Sequence, residues 1–74
     1  MTDQIKRIFI SLRADRKSAI RVVLATRYNM SVDSVKNMWI YGGKIPAKYQ
    51  KEVLEILQNE LKKQIDEDKK ILAK

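Results

Sequence analysis

The chain has 74 residues, a length typical of a single domain. It contains no cysteine and no histidine, which excludes disulfides, thiolate chemistry, the commonest general base and nearly all zinc sites. Its formal net charge is +7, and no apolar run approaches the ~20 residues of a membrane span. The first residues lack the apolar core and cleavage site of a signal peptide, so we expect a cytoplasmic protein without a membrane partner.

The positive charge is concentrated in the first two thirds of the chain. Residues 1–50 contain ten basic and three acidic residues, whereas residues 51–74 contain six of each. Clustered positive charge is typical of proteins that bind nucleic acid, although small basic proteins are common and charge also keeps them soluble. The asymmetry favours a polyanion partner for the first part of the chain.

Apolar residues at helical spacing predict a first helix over residues 3–13. Its buried face carries Ile5, Ile8, Phe9 and Leu12. Ile10 lies off that face, so either it meets a neighbouring element or the helix is buried more widely.

A second helix is predicted over residues 16–28, with Asp15 as its N-cap. The residues that follow its helical period are Ile20, Val23, Leu24 and Arg27. Arg16 and Lys17 lie in its first turn, where they oppose the helix dipole. Packing gives no reason for this placement, whereas a nearby phosphate would.

The second helix leads through a short polar break into a third helix over residues 31–41. Ala25 is small enough for a close contact between the two helices, Asn29 suits a left-handed backbone position, and Ser31 is a good N-cap. Val35 and Met38 lie three residues apart, so they are predicted to pack against the second helix, together with Trp39.

The outer side of the third helix is the candidate base-reading surface. Lys36 can hydrogen-bond guanine, Asn37 can hydrogen-bond adenine, and Val32 can touch a thymine methyl group. Asp33 either accepts a hydrogen bond from cytosine or only favours the helix terminus. The base-reading residues are predicted to be Ser31, Val32, Asp33, Lys36, Asn37 and Ile40. The alternative is an ordinary solvated face, against which the predicted exposure of Ile40 and Tyr41 argues.

Gly42 and Gly43 are predicted to end the third helix. The GxxxxGK[ST] pattern of a nucleotide-binding loop is absent, and no strand precedes the glycines. Lys44 is placed to meet a phosphate, and Pro46 fits the first turn of the last helix.

The last helix is predicted to run from Pro46 to about residue 72. Its apolar residues recur every four positions, at Tyr49, Val53, Leu57, Leu61 and Ile65. We divide the chain into a helix-turn-helix domain, residues 1–61, and a charged helical extension, residues 62–74. The extension is too polar to pack fully, so it projects into solvent, frays or pairs with another copy.

Residues 17–57 resemble the helix-turn-helix of the phage repressor and Cro family. The resemblance is carried by the spacing of Ala25, Ser31, Val35 and Met38 around the break between the two helices, and by the segment Gly42-Gly43-Lys44-Ile45-Pro46. Asn29 stands where the family usually has glycine, and Trp39 lies one place later than the tryptophan often found there.

The resemblance implies a sequence-specific protein that binds double-stranded DNA. It would be a small phage or bacterial transcription regulator that occupies an operator in the bacterial cytoplasm or nucleoid. A two-fold homodimer is expected, because one recognition helix reads too few base pairs for useful specificity. The family also implies that Arg16 and Lys17 contact the phosphate backbone.

The sequence therefore predicts an all-α domain of four to five helices with a helix-turn-helix at its centre. No enzyme activity, cofactor, metal or small-molecule substrate is expected, since no catalytic arrangement of side chains can be argued. The alternative is a small structural or protein-interaction protein, anti-host or virion-associated, that uses the fold without reading DNA. The long amphipathic last helix and the apolar Ile40 and Tyr41 support that alternative.

Overall fold

The computed structural model describes residues 2–72, which form four helices and no strand. Helix α1 spans Thr2–Ser11, α2 spans Ala14–Arg27 and α4 spans Ala47–Leu72. Helix α3 has two parts, an α-helical turn at Val32–Ser34 and a π-helical segment at Val35–Ile40. The predicted all-α class is confirmed, with four helices. No helix in the described range is both long and apolar enough to cross a membrane.

The hydrophobic core lies between the four helices. Residues at helical spacing fill it, as predicted for α1, and Ile10 is exposed because it lies off the buried face. Val23 is exposed too, although the periodicity of α2 placed it near the core. The buried apolar residues are Ile5, Phe9, Leu12, Ile20, Leu24, Ala25, Val35, Trp39, Ile40, Ile45, Val53 and Leu57.

The corner between α1 and α2 differs from the prediction. Helix α2 begins at Ala14, so Asp15 lies in its first turn and the N-cap is Arg13, which makes no side-chain cap. The backbone N–H of Arg13 instead donates to Oε1 of Gln64, 2.8 Å away on α4. Asp15 is therefore not the cap, because the helix begins before it: the backbone N–H of Lys17 already donates to the carbonyl oxygen of Arg13, 2.9 Å away.

The break between α2 and α3 has the predicted backbone geometry. Asn29 is the one non-glycine residue with a positive φ in the described range, at 54°. The N–H of Met30 donates to the carbonyl oxygen of Ala25, 2.8 Å away. Ser31 caps α3, since its hydroxyl accepts the backbone N–H of Ser34 at 3.0 Å. These local predictions are confirmed.

The π-helical segment of α3 changes which residues face the core. Its wide turn is seen in the hydrogen bond from the N–H of Tyr41 to the carbonyl oxygen of Lys36, five residues earlier, at 3.0 Å. Inward residues are then spaced by four and five positions, so Val35, Trp39 and Ile40 are buried. Met38 is 51% exposed, and its predicted packing against α2 is wrong.

Glycines end α3, as predicted. A Cβ atom on Gly42 would lie 2.6 Å from the carbonyl oxygen of Met38, which no side chain tolerates. Gly43 has a positive φ of 65°, and the N–H of Lys44 then donates to the same Met38 oxygen at 3.0 Å. The pair of glycines therefore closes the wide last turn of α3.

Helix α4 begins directly after Pro46 and runs without a break past residue 61. Its contacts with the α1–α2 corner continue through Gln64, which is buried, and as far as Asp68. The boundary placed after residue 61 therefore does not mark the end of packing along α4. Residues 73 and 74 of the predicted extension lie outside the described range.

Candidate nucleic-acid interface

Ion pairs with α4 hold one set of arginines in the basic part of the chain. Arg13 lies 3.1 Å from Glu67 and 2.8 Å from Asp68, and Arg16 pairs with Glu60 and Glu67. At the other end of α2, Arg27 pairs with Glu52 at 2.7 Å. These arginines join α2 and the corner before it to α4.

Arg16 was predicted to contact phosphate, but in the structure its guanidinium forms ion pairs with α4. Its side chain is 13% exposed and lies between two carboxylates of α4. The hydrogen bonds that Arg16 donates to Glu67 and then to Glu60 raise the pKa of Arg16, and the bond from Arg16 lowers the pKa of the Glu67 carboxyl. Packing therefore does explain Arg16, and a phosphate could recruit it only by displacing these acids.

A second set of basic residues has no acidic partner within 4 Å among residues 2–72. It includes Lys17 and Arg21, which lie one turn apart on α2. Ala25 lies one turn further along the same face of the helix and is buried near the turn to α3. Arg21 donates only to the hydroxyl of Ser18, at 3.1 Å. The other members before residue 51 are Lys6, Arg7, Lys36, Lys44 and Lys48.

Helix α2 therefore has two kinds of basic residue. Arg16 and Arg27 face α4 and pair with its acidic residues, whereas Lys17 and Arg21 form no ion pair within residues 2–72. Of the predicted phosphate contacts, Lys17 and Lys44 form no ion pair within residues 2–72, and neither does Arg21, whereas Arg16 does. The sequence carried a signal for Arg21, because it lies four residues after Lys17 on the same helix face.

The outward side of α3 carries polar side chains with no internal partner. Within residues 2–72, Asp33, Lys36 and Asn37 make no side-chain hydrogen bond or ion pair. Asp33 and Asn37 are exposed, and Lys36 is half-buried. Val32, in the first turn, is exposed as well. The structure therefore brings four of the six base-reading candidates together on one accessible helix surface.

The other two candidates are placed differently. Ile40 is 1% exposed, so its assignment as a base-reading residue is wrong; the π-helical turn rotates it into the core. The Ser31 hydroxyl is occupied, since it accepts from the backbone of Ser34 and donates to the Ser34 hydroxyl at 2.8 Å. Met38 takes the outward position that was predicted for Ile40.

The described residues contain no cluster of three or more acidic side chains placed to hold a metal ion. What they present is a helix surface with amide, carboxylate and ammonium groups, flanked by basic residues that no acid neutralises. Such a surface can hydrogen-bond base edges and attract phosphates. Comparisons with protein-family models, with curated proteins and with solved structures found no match to this chain.

Proposed function

We propose that the protein binds double-stranded DNA and reads sequence with the outward side of α3 in the major groove. The observation that carries the proposal is the set Asp33, Lys36 and Asn37, which lie on one helix surface without internal partners. Lysine can pair with guanine, and asparagine can form two hydrogen bonds to adenine. A helix is also the element that fits the width of the major groove.

Phosphate contacts are assigned to basic residues that form no ion pair within residues 2–72. Lys17 and Arg21 lie on the α2 stripe that leads to Ala25, and Lys44 follows the glycines that end α3. The backbone of Lys44 is tied to α3 by its hydrogen bond to Met38. Contacts of this kind fix the register of a protein on the duplex, and base contacts then give specificity.

Regulation by operator occupancy, and binding as a two-fold homodimer, belong to the same proposal. Two features of the backbone accommodate the two positions at which the sequence departs from the repressor and Cro pattern. Asn29 takes the left-handed position in which glycine is usual, with φ 54°. The π-helical turn accommodates one more residue than an α-helical turn, so Trp39 reaches the core one place later.

The test is the salt dependence of binding to random duplex DNA, measured by fluorescence anisotropy. We expect log K to fall linearly with log salt, with a slope of about −0.9 per neutralised phosphate. The variant Lys17→Gln with Arg21→Gln should reduce that slope by about 2. The matched control is Lys51→Gln with Lys62→Gln, two exposed lysines on α4, which should leave the slope unchanged.

Arg16→Gln separates the two roles considered for this residue. Because Arg16 is held by Glu60 and Glu67, the variant should lower the melting temperature. Its salt slope should match that of the wild type once the comparison is made below the melting transition. Binding of the wild type that is indifferent to salt would contradict the DNA proposal.

A protein-interaction role is the second candidate, favoured by one face of α2. Val22 and Val23 are 54% and 47% exposed, and their exposed neighbours Ala19 and Thr26 are also uncharged. An uncharged face of small residues on a highly charged protein suits contact with another helix. If this were the whole function, Val22→Lys would abolish partner binding and the wild type would show no salt-dependent affinity for DNA.

A further inference from the structure

We propose that α1 belongs to the DNA-binding surface, where Lys6 and Tyr41, the residue that follows α3, together bind a phosphate of the duplex backbone. This assignment rests on the proposed DNA binding and adds α1, for which no DNA contact was predicted from the sequence. Tyr41 belongs to the outer side of the predicted recognition helix, whereas Lys6 was not predicted to contact DNA, because 35 positions separate the two residues and only the fold brings them together.

An aromatic pair joins α1 to the end of α3. The ring centroids of Phe9 and Tyr41 are 6.0 Å apart, and the ring planes are nearly perpendicular, at 88°. Phe9 is buried, whereas Tyr41 is 43% exposed. The buried ring therefore fixes the orientation of the exposed one. Among residues 2–72 the Tyr41 hydroxyl has no hydrogen-bond partner, so it remains free to donate to a ligand.

Two lysines from different helices lie over these rings. Nζ of Lys6 is 5.8 Å from the centroid of Tyr41, and Nζ of Lys17 is 6.0 Å from the centroid of Phe9. Asp3 lies one turn before Lys6 and Asp15 lies near Lys17, but neither forms an ion pair in the described range. Within residues 2–72 neither ammonium group is held in an ion pair, so both can contact an anion.

The Phe9–Tyr41 pair is continuous with the proposed base-reading surface of α3. Tyr41 follows Lys36 by one π-helical turn, as the hydrogen bond between their backbones shows. The start of α1 also touches the loop that carries Lys44, since a Cβ atom on Gly43 would lie 3.7 Å from Oγ1 of Thr2. Lys6 and Tyr41 thus lie at the end of α3, as does the backbone of Lys44, which is bonded to Met38.

The chemistry favours a phosphate of a nucleic-acid strand over a small free anion. The cations are spread over α1, α2 and the loop after α3, and they do not enclose a pocket. A tyrosine hydroxyl and a lysine ammonium are common donors to backbone phosphates, which they contact without reading the base. Lys17 on α2 would then contact a different phosphate of the same duplex.

The test compares Lys6→Gln and Tyr41→Phe in the full chain, with anisotropy measured on duplex and single-stranded DNA of one random sequence. Lys6→Gln should reduce the salt slope on duplex by about 1. Tyr41→Phe keeps the ring contacts and loses only the hydroxyl donor, so duplex affinity should fall about 3- to 10-fold with an unchanged melting temperature. Lys62→Gln, an exposed lysine on α4, is the control.

Each outcome bears on a different statement. Duplex binding by the wild type with Lys6→Gln and Tyr41→Phe equal to Lys62→Gln would overturn the role of α1 and leave the DNA proposal standing. Preferred binding of single strands, unaffected by Tyr41→Phe, would also overturn it, because the ring would then act as a stacking surface. Absence of salt-dependent binding by the wild type would remove both proposals.

Discussion

Oε1 of Gln64 on α4 lies 2.8 Å from the backbone nitrogen of Arg13 and accepts its hydrogen bond. The side-chain NH₂ of Gln64 donates to the carbonyl oxygen of Ser11, 3.1 Å away. One amide thus pairs the backbone on both sides of the α1–α2 corner, where a helix end and a helix start leave groups without intrahelical partners. Through this contact the second half of α4 sets the position of the start of α2, and with it Lys17.

Replacing Gln64 tests that contact. Gln64→Leu keeps the size of the side chain but leaves the Arg13 N–H and the Ser11 carbonyl unpaired at a partly buried site. We expect a loss of about 1–3 kcal/mol in the free energy of unfolding, measured by urea denaturation. Gln58→Leu, on the exposed side of the same helix, is the control and should change stability little. Equal losses in the two variants would show that the corner does not depend on this amide.

The ion pairs predict how stability depends on pH. Its hydrogen bond with Arg16 lowers the pKa of Glu67, and hydrogen bonds from Tyr28 and then Arg27 lower the pKa of Glu52, both from an ordinary value of 4.5. A carboxyl whose pKa is lower in the folded state stabilises the fold above its unfolded pKa, and this contribution is lost as pH falls through the folded pKa. The melting temperature should therefore fall as the pH drops below about 4.5.

Glu67→Gln is the variant that isolates one of these carboxylates. It should lower the melting temperature near neutral pH and weaken the fall on the acid side. The control is Glu55→Gln, an exposed residue of α4 with no ion pair in the described range. If both variants gave the wild-type acid profile, the Arg16–Glu67 pair would carry no linkage to folding.

Asn29 predicts an order of stability among substitutions. Its φ of 54° lies in the left-handed region, where glycine has no steric penalty, so Asn29→Gly should be neutral or stabilising. Asn29→Val should cost about 1–2 kcal/mol, the penalty of a β-branched residue in that conformation. Asn59 in the interior of α4 should show the reverse order, with Val milder than Gly. A thermal melt with Asn29→Val above Asn29→Gly would mean that α2 and α3 are one continuous helix.

The features that could be predicted from the sequence are those set by residues close together along the chain. The left-handed Asn29, the Ser31 cap and the buried face of α1 depend on residues within a few positions, and each is confirmed. The π-helical turn of α3 could not be inferred from a 3.6-residue period. Ile40 was therefore predicted to be exposed and Met38 to be buried, and the structure shows the reverse.

The pairing of arginines was missed for a different reason. Arg16 meets Glu60 and Glu67 only because α4 folds back along the α1–α2 corner, at a separation of more than 40 residues. From its position in the sequence, Arg16 was predicted to contact DNA. In the folded protein its charge is paired with two glutamates of α4, so it is no longer a candidate. For the same reason Arg21 on α2 and Lys6 on α1 enter the proposed DNA contacts, since neither has an acidic partner within the described residues.

The central claim is that the outward side of α3 reads bases, and Asn37→Ala tests it most directly. Asn37 is exposed and without internal partners in the described range, so its truncation should leave the melting temperature unchanged. The measurement is the ratio of affinities for a site selected from random duplexes by the wild-type protein and for a scrambled duplex of equal length. We predict that Asn37→Ala weakens binding to the selected site by about 1–3 kcal/mol, with much less effect on the scrambled duplex. Equal losses on both duplexes, or none on either, would contradict base reading by α3.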